Sequence, residues 1–112
     1  MGITKTSAYI SRHNRLAKVL KALGHPARLA IVEHLLKTDS CICSTLVDIL
    51  PLSQPTVSRH LRELKDAGII QGNIEGASLC YCLNPQVISQ IAVYLSDMQM
   101  KLQSRKPDSY CC

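Results

Sequence analysis

From Ser53 to Gly68 the chain reads Ser-Gln-Pro-Thr-Val-Ser-Arg-His-Leu-Arg-Glu-Leu-Lys-Asp-Ala-Gly, a stretch that fits a short helix with two unlike faces and little else. Ser53 is a good N-cap, Pro55 sits in the tolerated first turn, and Gly68 can end the helix in a left-handed conformation. Val57, Leu61 and Leu64 recur at helical spacing and are expected to pack inward. Gln54, Thr56, Arg59, His60 and Glu63 are expected on a different face made almost wholly of hydrogen-bonding groups. Such a face suits the major groove of duplex DNA, where Gln pairs with adenine, Arg with guanine, and a Thr methyl meets the thymine methyl. The same pattern also fits an ordinary amphipathic surface helix, so the rest of the chain must decide.

At 112 residues the chain is long enough for one domain with a modest core. Thirteen Lys and Arg against eight Asp and Glu give a net charge of +5, which points to nucleic acid as partner. A membrane surface would attract the same charge, but Trp and Phe are absent and interfacial anchors are scarce. No apolar run is long enough to span a bilayer, and the first residues lack the apolar block of a secretory signal. A cytoplasmic location is therefore expected, where the six cysteines would stay reduced.

Residues 1–11 have little periodicity and read as a lead-in. Leu16, Val19, Leu20 and Leu23 predict a first helix, interrupted at Gly24-His25-Pro26. Pro26 opens a second helix whose Leu29, Ile31, Val32, Leu35 and Leu36 are expected to be buried. Thr38-Asp39-Ser40 starts a short third helix to about Leu50, and Pro51-Leu52-Ser53 turns into the stretch described above. Two helices so joined are a helix-turn-helix. Beyond Gly68 the period changes: Ile69 to Gln71 and Ser78 to Leu83 flank Asn73-Ile74-Glu75-Gly76, the pattern of a β-hairpin that would form a wing. Asn84-Pro85 opens a last helix with an apolar stripe of Ile88, Ile91, Ala92, Leu95, Met98 and Leu102, which calls for a partner. The expected organisation is a mainly α, winged helix-turn-helix domain over 12–103, followed by a tail over 104–112 that ends in adjacent cysteines.

Three segments carry a resemblance to the ArsR/SmtB winged-helix repressors: Leu23-Gly24-His25-Pro26-Ala27-Arg28-Leu29, the run from Leu52 to Leu61, and Leu64-Lys65-Asp66-Ala67-Gly68-Ile69-Ile70 leading into the hairpin. The resemblance covers about Leu16 to Leu102. It implies a homodimer with the first and last helices at the interface, here through Leu16, Leu20, Ile88, Ile91, Leu95 and Met98. It also implies repression at an operator until an inducing ion or thiol-reactive species intervenes. On this reading Gln54, Thr56, Ser58, Arg59 and His60 face the DNA, while Arg62, Lys65 and Arg28 contact phosphates.

Cys41-Ile42-Cys43 stands where arsenite- and cadmium-responsive members of that family carry Cys-Val-Cys. Thiolates suit a helix N-terminus, whose backbone N–H groups and dipole favour negative charge. The position of the third Cys of the arsenite-responsive pattern is Leu46 here, and Ser44 replaces the acidic residue usual beside the second Cys. Cys111 or Cys112 could supply a third thiolate, or the site could differ in geometry. The resemblance thus implies As(III) or Sb(III) as inducer, admits Cd(II) or Zn(II), and implies no constitutive cofactor. Residues two apart on a helix do not face each other, so Cys41 and Cys43 could share one ion only if that first turn opened.

Cys80 and Cys82 share one face of a strand; core packing is expected, with a shared soft ion as the alternative. The Cys111-Cys112 pair could bind a metal, react with oxidants or simply end the tail. His13, His25, His34 and His60 form no zinc pair at helical spacing, and the last helix has no His. Enzyme readings find no thioredoxin-like Cys spacing, phosphate loop or nucleophile elbow. Thiol oxidation on the same scaffold is the nearer rival to ion sensing, and a thiol-rich metal carrier or redox protein is the rival from another class.

Overall fold

The computed structural model describes residues 10–37, 51–74 and 80–105. In chain order they form α1 (Ser11–Leu23), α2 (Pro26–Leu36), α3 (Gln54–Asp66), β1 (Ile70–Asn73), β2 (Cys80–Leu83) and α4 (Pro85–Gln103). The helix expected up to about Leu50 lies outside the described residues.

The breaks fall where local chemistry puts them. His25 is extended and its ring accepts a bond from the Ala27 N–H, capping α2 at the point where Pro26 has no N–H to offer. Asn84 plays the same part for α4, its Oδ1 accepting from the Gln86 N–H at 3.1 Å ahead of Pro85. Ser53 precedes α3 in extended conformation, but its hydroxyl pairs with the Thr56 hydroxyl at 3.0 Å instead of with the backbone. At the far end Gly68 takes φ +80°, the Gly68 N–H bonds Lys65 O at 2.9 Å and the Ile69 N–H bonds Leu64 O at 3.0 Å. These bonds form a Schellman motif that turns the chain directly into the wing.

The wing is a two-stranded antiparallel hairpin that pairs Ile70 with Leu83, Gln71 with Cys82, Gly72 with Tyr81 and Asn73 with Cys80. Alternation sends Ile70 and Tyr81 inward and leaves Gln71 and Asn73 outside. Cys80 follows the outer set and is exposed, with Cys82 half-buried, so core packing does not hold for Cys80. Ile74, expected in the turn, is instead buried.

One core joins these elements: Val19 and Ala22 of α1, Ile31 and Leu35 of α2, Val57, Leu61 and Leu64 of α3, and Ile69, Ile70, Ile74 and Tyr81 of the wing. Tyr81 is fully buried, which pushes its hydroxyl pKa up by desolvation. The apolar wealth of α2 exceeds what one side can bury, and Leu29 and Leu36 are exposed rather than internal. In α4 only the first two turns join the core, through Val87, Ile88 and a buried Ile91 at 7% exposure. Beyond them Leu95 is 50% exposed and Val93 68%, with Met98, Met100 and Leu102 also open.

Because Gly68 alone in that motif needs a left-handed backbone, Gly68→Ala should cost about 1–2 kcal/mol of unfolding free energy. Urea denaturation at a fixed protein concentration reads the loss; the added methyl itself has room, 3.5 Å from Val87.

Candidate nucleic-acid interface

On α3 each residue advances about 100° around the axis, so the buried Val57, His60, Leu61 and Leu64 occupy one continuous stripe. Opposite the stripe stand Pro55, Arg59, Arg62 and Asp66. Gln54, Ser58 and Lys65 flank this arc on one side, with Thr56 and Glu63 on the other. All are exposed except Thr56 and Ser58, which are half-buried. The Gln54 amide donates to the Ser58 hydroxyl at 3.3 Å, and Ser53 holds Thr56, so the first turn presents its polar groups as a pre-arranged cluster. Arg62 therefore shares the centre of the exposed arc with Arg59 but lies nearly one turn further along the axis. A cleft of about 290 Å³ lined by Arg62, Lys65, Asp66, Asn73 and Ile74 joins the end of α3 to the wing, making one surface of the two.

Two residues expected on this surface are turned away from it. His60 is only 6% exposed: its angular position falls within the stripe, beside Leu64, and position overrides its polar character. Its Nδ1 accepts a bond from Arg28 Nε at 3.2 Å, and Arg28 Nη1 also donates to the Ala22 carbonyl at 3.3 Å. Arg28 is thus half-buried and ties α1, α2 and α3 together. The His25 ring packs on His60 with centroids 4.5 Å apart and planes tilted by 49°. Burial, then His25, Arg28 and Arg59, hold the His60 pKa below its usual 6.5, with Glu63 acting in the opposite direction. Helical phase alone could have found His60; the meeting of His25 and His60 across 35 positions of sequence left no local signal.

Away from α3, the residues of α1 and α4 border a groove of about 360 Å³ lined by Arg12, Arg15, Leu16, Ser89, Gln90, Val93 and Tyr94, where the Arg12 guanidinium lies 6.0 Å from the centre of the Tyr94 ring. Of the interface residues expected from sequence, Leu20, Leu95 and Met98 are exposed and Leu16 and Ile88 half-buried. Ile91 is different: it belongs to the protomer's own core. Cys41, Cys43, Cys111 and Cys112 lie outside the described residues. Among the described residues no three His, Cys, Asp or Glu side chains come together as a metal site, and no helix is long and apolar enough to cross a membrane.

A helix-turn-helix domain model matches residues 23–72. The chain is 32% identical over 79 residues to the arsenical resistance operon repressor of Staphylococcus xylosus, covering 70% of this chain and 75% of that protein. It is 38% identical over 76 residues to the HTH-type transcriptional repressor SmtB of Mycobacterium tuberculosis, covering 68% of this chain and 56% of that one. The chain belongs to the ArsR/SmtB family. An uncharacterized HTH-type transcriptional regulator of Methanocaldococcus jannaschii is 32% identical over 90 residues, which are 80% of this chain and all of that one. The fold agrees: an ArsR-like transcriptional regulator from Rhodococcus superposes with a TM-score of 0.69 at 23% identity, covering 84% of this chain and 88% of the other. As an ArsR/SmtB family member the protein is a DNA-binding transcriptional repressor and not an enzyme.

The contact made by Arg28 carries a measurable cost. Removing the guanidinium leaves the buried His60 Nδ1 without its donor, so Arg28→Met should lose about 1–3 kcal/mol of stability at pH 7.5 in urea denaturation.

Proposed function

We propose that this repressor binds duplex DNA as a homodimer, reading bases with the first turns of α3, and is released when a soft, thiol-seeking ion binds Cys41 and Cys43. The observation that carries the DNA reading is the division of α3. One side is anchored in the core, and away from it the first two turns offer the exposed Gln54 and Arg59 and the half-buried Thr56 and Ser58, with the wing beside the far end of the helix. In helix-turn-helix proteins the N-terminal residues of the second helix reach the base edges. Arg62 and Lys65, further along the helix, are suited to phosphates. Binding preference is best measured on a duplex selected by the protein from a random pool. On it Arg59→Ala should lose about 1–3 kcal/mol of discrimination at one base pair. Lys65→Ala should instead weaken all duplexes alike and flatten the salt dependence by about one unit. Loss of affinity in Arg59→Ala with unchanged base preference would refute the readout.

Dimerisation is supported by the exposed apolar run of Leu95, Met98 and Leu102 along one face of α4, with Leu20 of α1 also exposed. Two copies would bring two α3 helices to one duplex. Leu95→Glu would strand a charge in that interface, and since Leu95 lies outside the protomer core the domain should survive as a monomer. Sedimentation reads this directly: a stable dimer after the change moves the interface elsewhere.

The inducer is inferred from Cys41-Ile42-Cys43 and from likeness to a relative named for arsenical resistance. A pair of thiolates suits As(III) or Sb(III), and the same donors take Cd(II) or Zn(II). With Leu46 where a third Cys is usual, Cys111 or Cys112 is the proposed third ligand. Cys41→Ser and Cys43→Ser should each keep DNA binding and lose release by arsenite under anaerobic, reducing conditions, because a hydroxyl is a poor ligand for a soft ion. Release that persists in the double variant would assign sensing to other cysteines.

A further inference from the structure

Beneath the exposed arc of α3 lies one cluster with no part in the proposed reading of bases: His60 of α3, Arg28 of α2 and His25 just ahead of α2. Each ring's Nδ1 is an acceptor, His60 from Arg28 Nε at 3.2 Å and His25 from the Ala27 N–H at 3.1 Å. A ring nitrogen that accepts carries no proton, so in this arrangement His60 is neutral with its hydrogen on Nε2. Arg28 cannot take the opposite role, since guanidinium has donors only. The bond therefore exists in one protonation state of His60 and not in the other.

We propose that His60, Arg28 and His25 form a proton-sensitive clamp that positions the reading helix, so that acid loosens α3 and lowers the protein's discrimination for its own DNA site. Adding a proton to Nδ1 sets one N–H against another and places a second positive charge beside the guanidinium, on a ring that is itself only 6% exposed. The groups acting on His60 are His25 and Arg28 from α2 and Arg59 and Glu63 from α3, and only Glu63 favours the imidazolium. From α1 the Ala22 carbonyl holds Arg28 in place. A His60 pKa below 6.5 fixes the sign. The folded state resists a proton that the unfolded chain takes up, so the contribution is complete above about pH 6.5 and is lost as pH falls through the folded value.

Ordinary electrostatics predicts the opposite trend. Added positive charge on the surface of a basic protein tightens its hold on any duplex. The ratio of affinities for the selected duplex and for a duplex of unrelated sequence cancels that general term and isolates the clamp. The inference rests on α3 being the reading helix, and its two measurements separate the two ideas.

The first measurement follows that ratio from pH 7.5 to 5.5 at constant salt. In the wild type it should fall, by less than about tenfold per protomer, because one linked proton changes an affinity by at most about tenfold per pH unit and only the range below the midpoint contributes. In His60→Gln, whose amide oxygen accepts from Arg28 and does not titrate, it should stay level. The second measurement needs no DNA: nitrogen-15 spectra of the wild-type protein should show His60 as the Nε2–H tautomer at pH 7.5. Its protonation midpoint should lie below 6.5, with the Arg28 Nε–H signal shifting at that same midpoint. A His60 midpoint at or above 6.5, or an Arg28 signal indifferent to it, overturns the clamp whatever the DNA data give. A ratio that is flat or rises in acid, or that falls equally in His60→Gln, overturns its effect on reading. If the spectra behave as expected while Arg59→Ala leaves base preference unchanged, the reading-helix assignment has failed and the titrating bond has not.

Discussion

The orientation of α3 depends on the burial of Val57, Leu61 and Leu64 among residues drawn from α1, α2 and the wing. Three apolar side chains at helical spacing, each removed from water, are worth about 1.5–3 kcal/mol apiece in transfer free energy. What they fix is rotation: with this stripe held, Arg59 and Arg62 must point outward. The Schellman turn at Gly68 extends the constraint into the wing, because Ile69 and Ile70 enter the same core directly after the helix ends. Reading surface and wing are thereby set by one packing solution.

Much of this was legible in the order of residues, for reasons that are local. Pro26 and Pro85 mark boundaries because proline belongs in the first turn of a helix and not its interior, Gly68 because glycine takes a left-handed backbone without strain, and the wing declares itself when apolar spacing changes from helical to alternating. Val57, Leu61 and Leu64 were likewise legible as a stripe. What escaped were cases in which tertiary placement overrides residue type. His60 reads as a surface donor yet sits within the apolar stripe, and Arg28 reads as a phosphate contact yet satisfies two acceptors inside the protein. Ile91 belongs by period to the stripe of α4 but lies near the N-terminal end, where that helix still touches its own core. Tyr81 gave no sign of being among the most buried side chains, since an alternating strand does not reveal which of its faces is covered.

The molecule presents two kinds of surface. The exposed arc of α3 carries polar and basic groups on a helix anchored in the core. Beyond its first two turns α4 leaves Leu95, Met98 and Leu102 open to water along one face. The proposed functions follow that division, with pairing of copies through the apolar face and duplex DNA on the polar arc. In the proposed dimer, whatever shifts α3 relative to its partner copy would alter the spacing of two reading helices at once, so a modest local change would have a large effect on a paired site. Both proposed inputs act on the support of α3. The ion would bind ahead of the turn that precedes it, and the proton would act at the bond beneath it.

The central claim is that two copies present α3 to successive major grooves on one side of a duplex. Hydroxyl-radical footprinting of the wild-type protein on a duplex selected from a random pool tests this most directly. The account predicts two protected patches related by an approximate two-fold axis, with centres about 10–10.5 base pairs apart or a whole multiple of that spacing. A single patch, or two patches on opposite sides of the duplex, would contradict it.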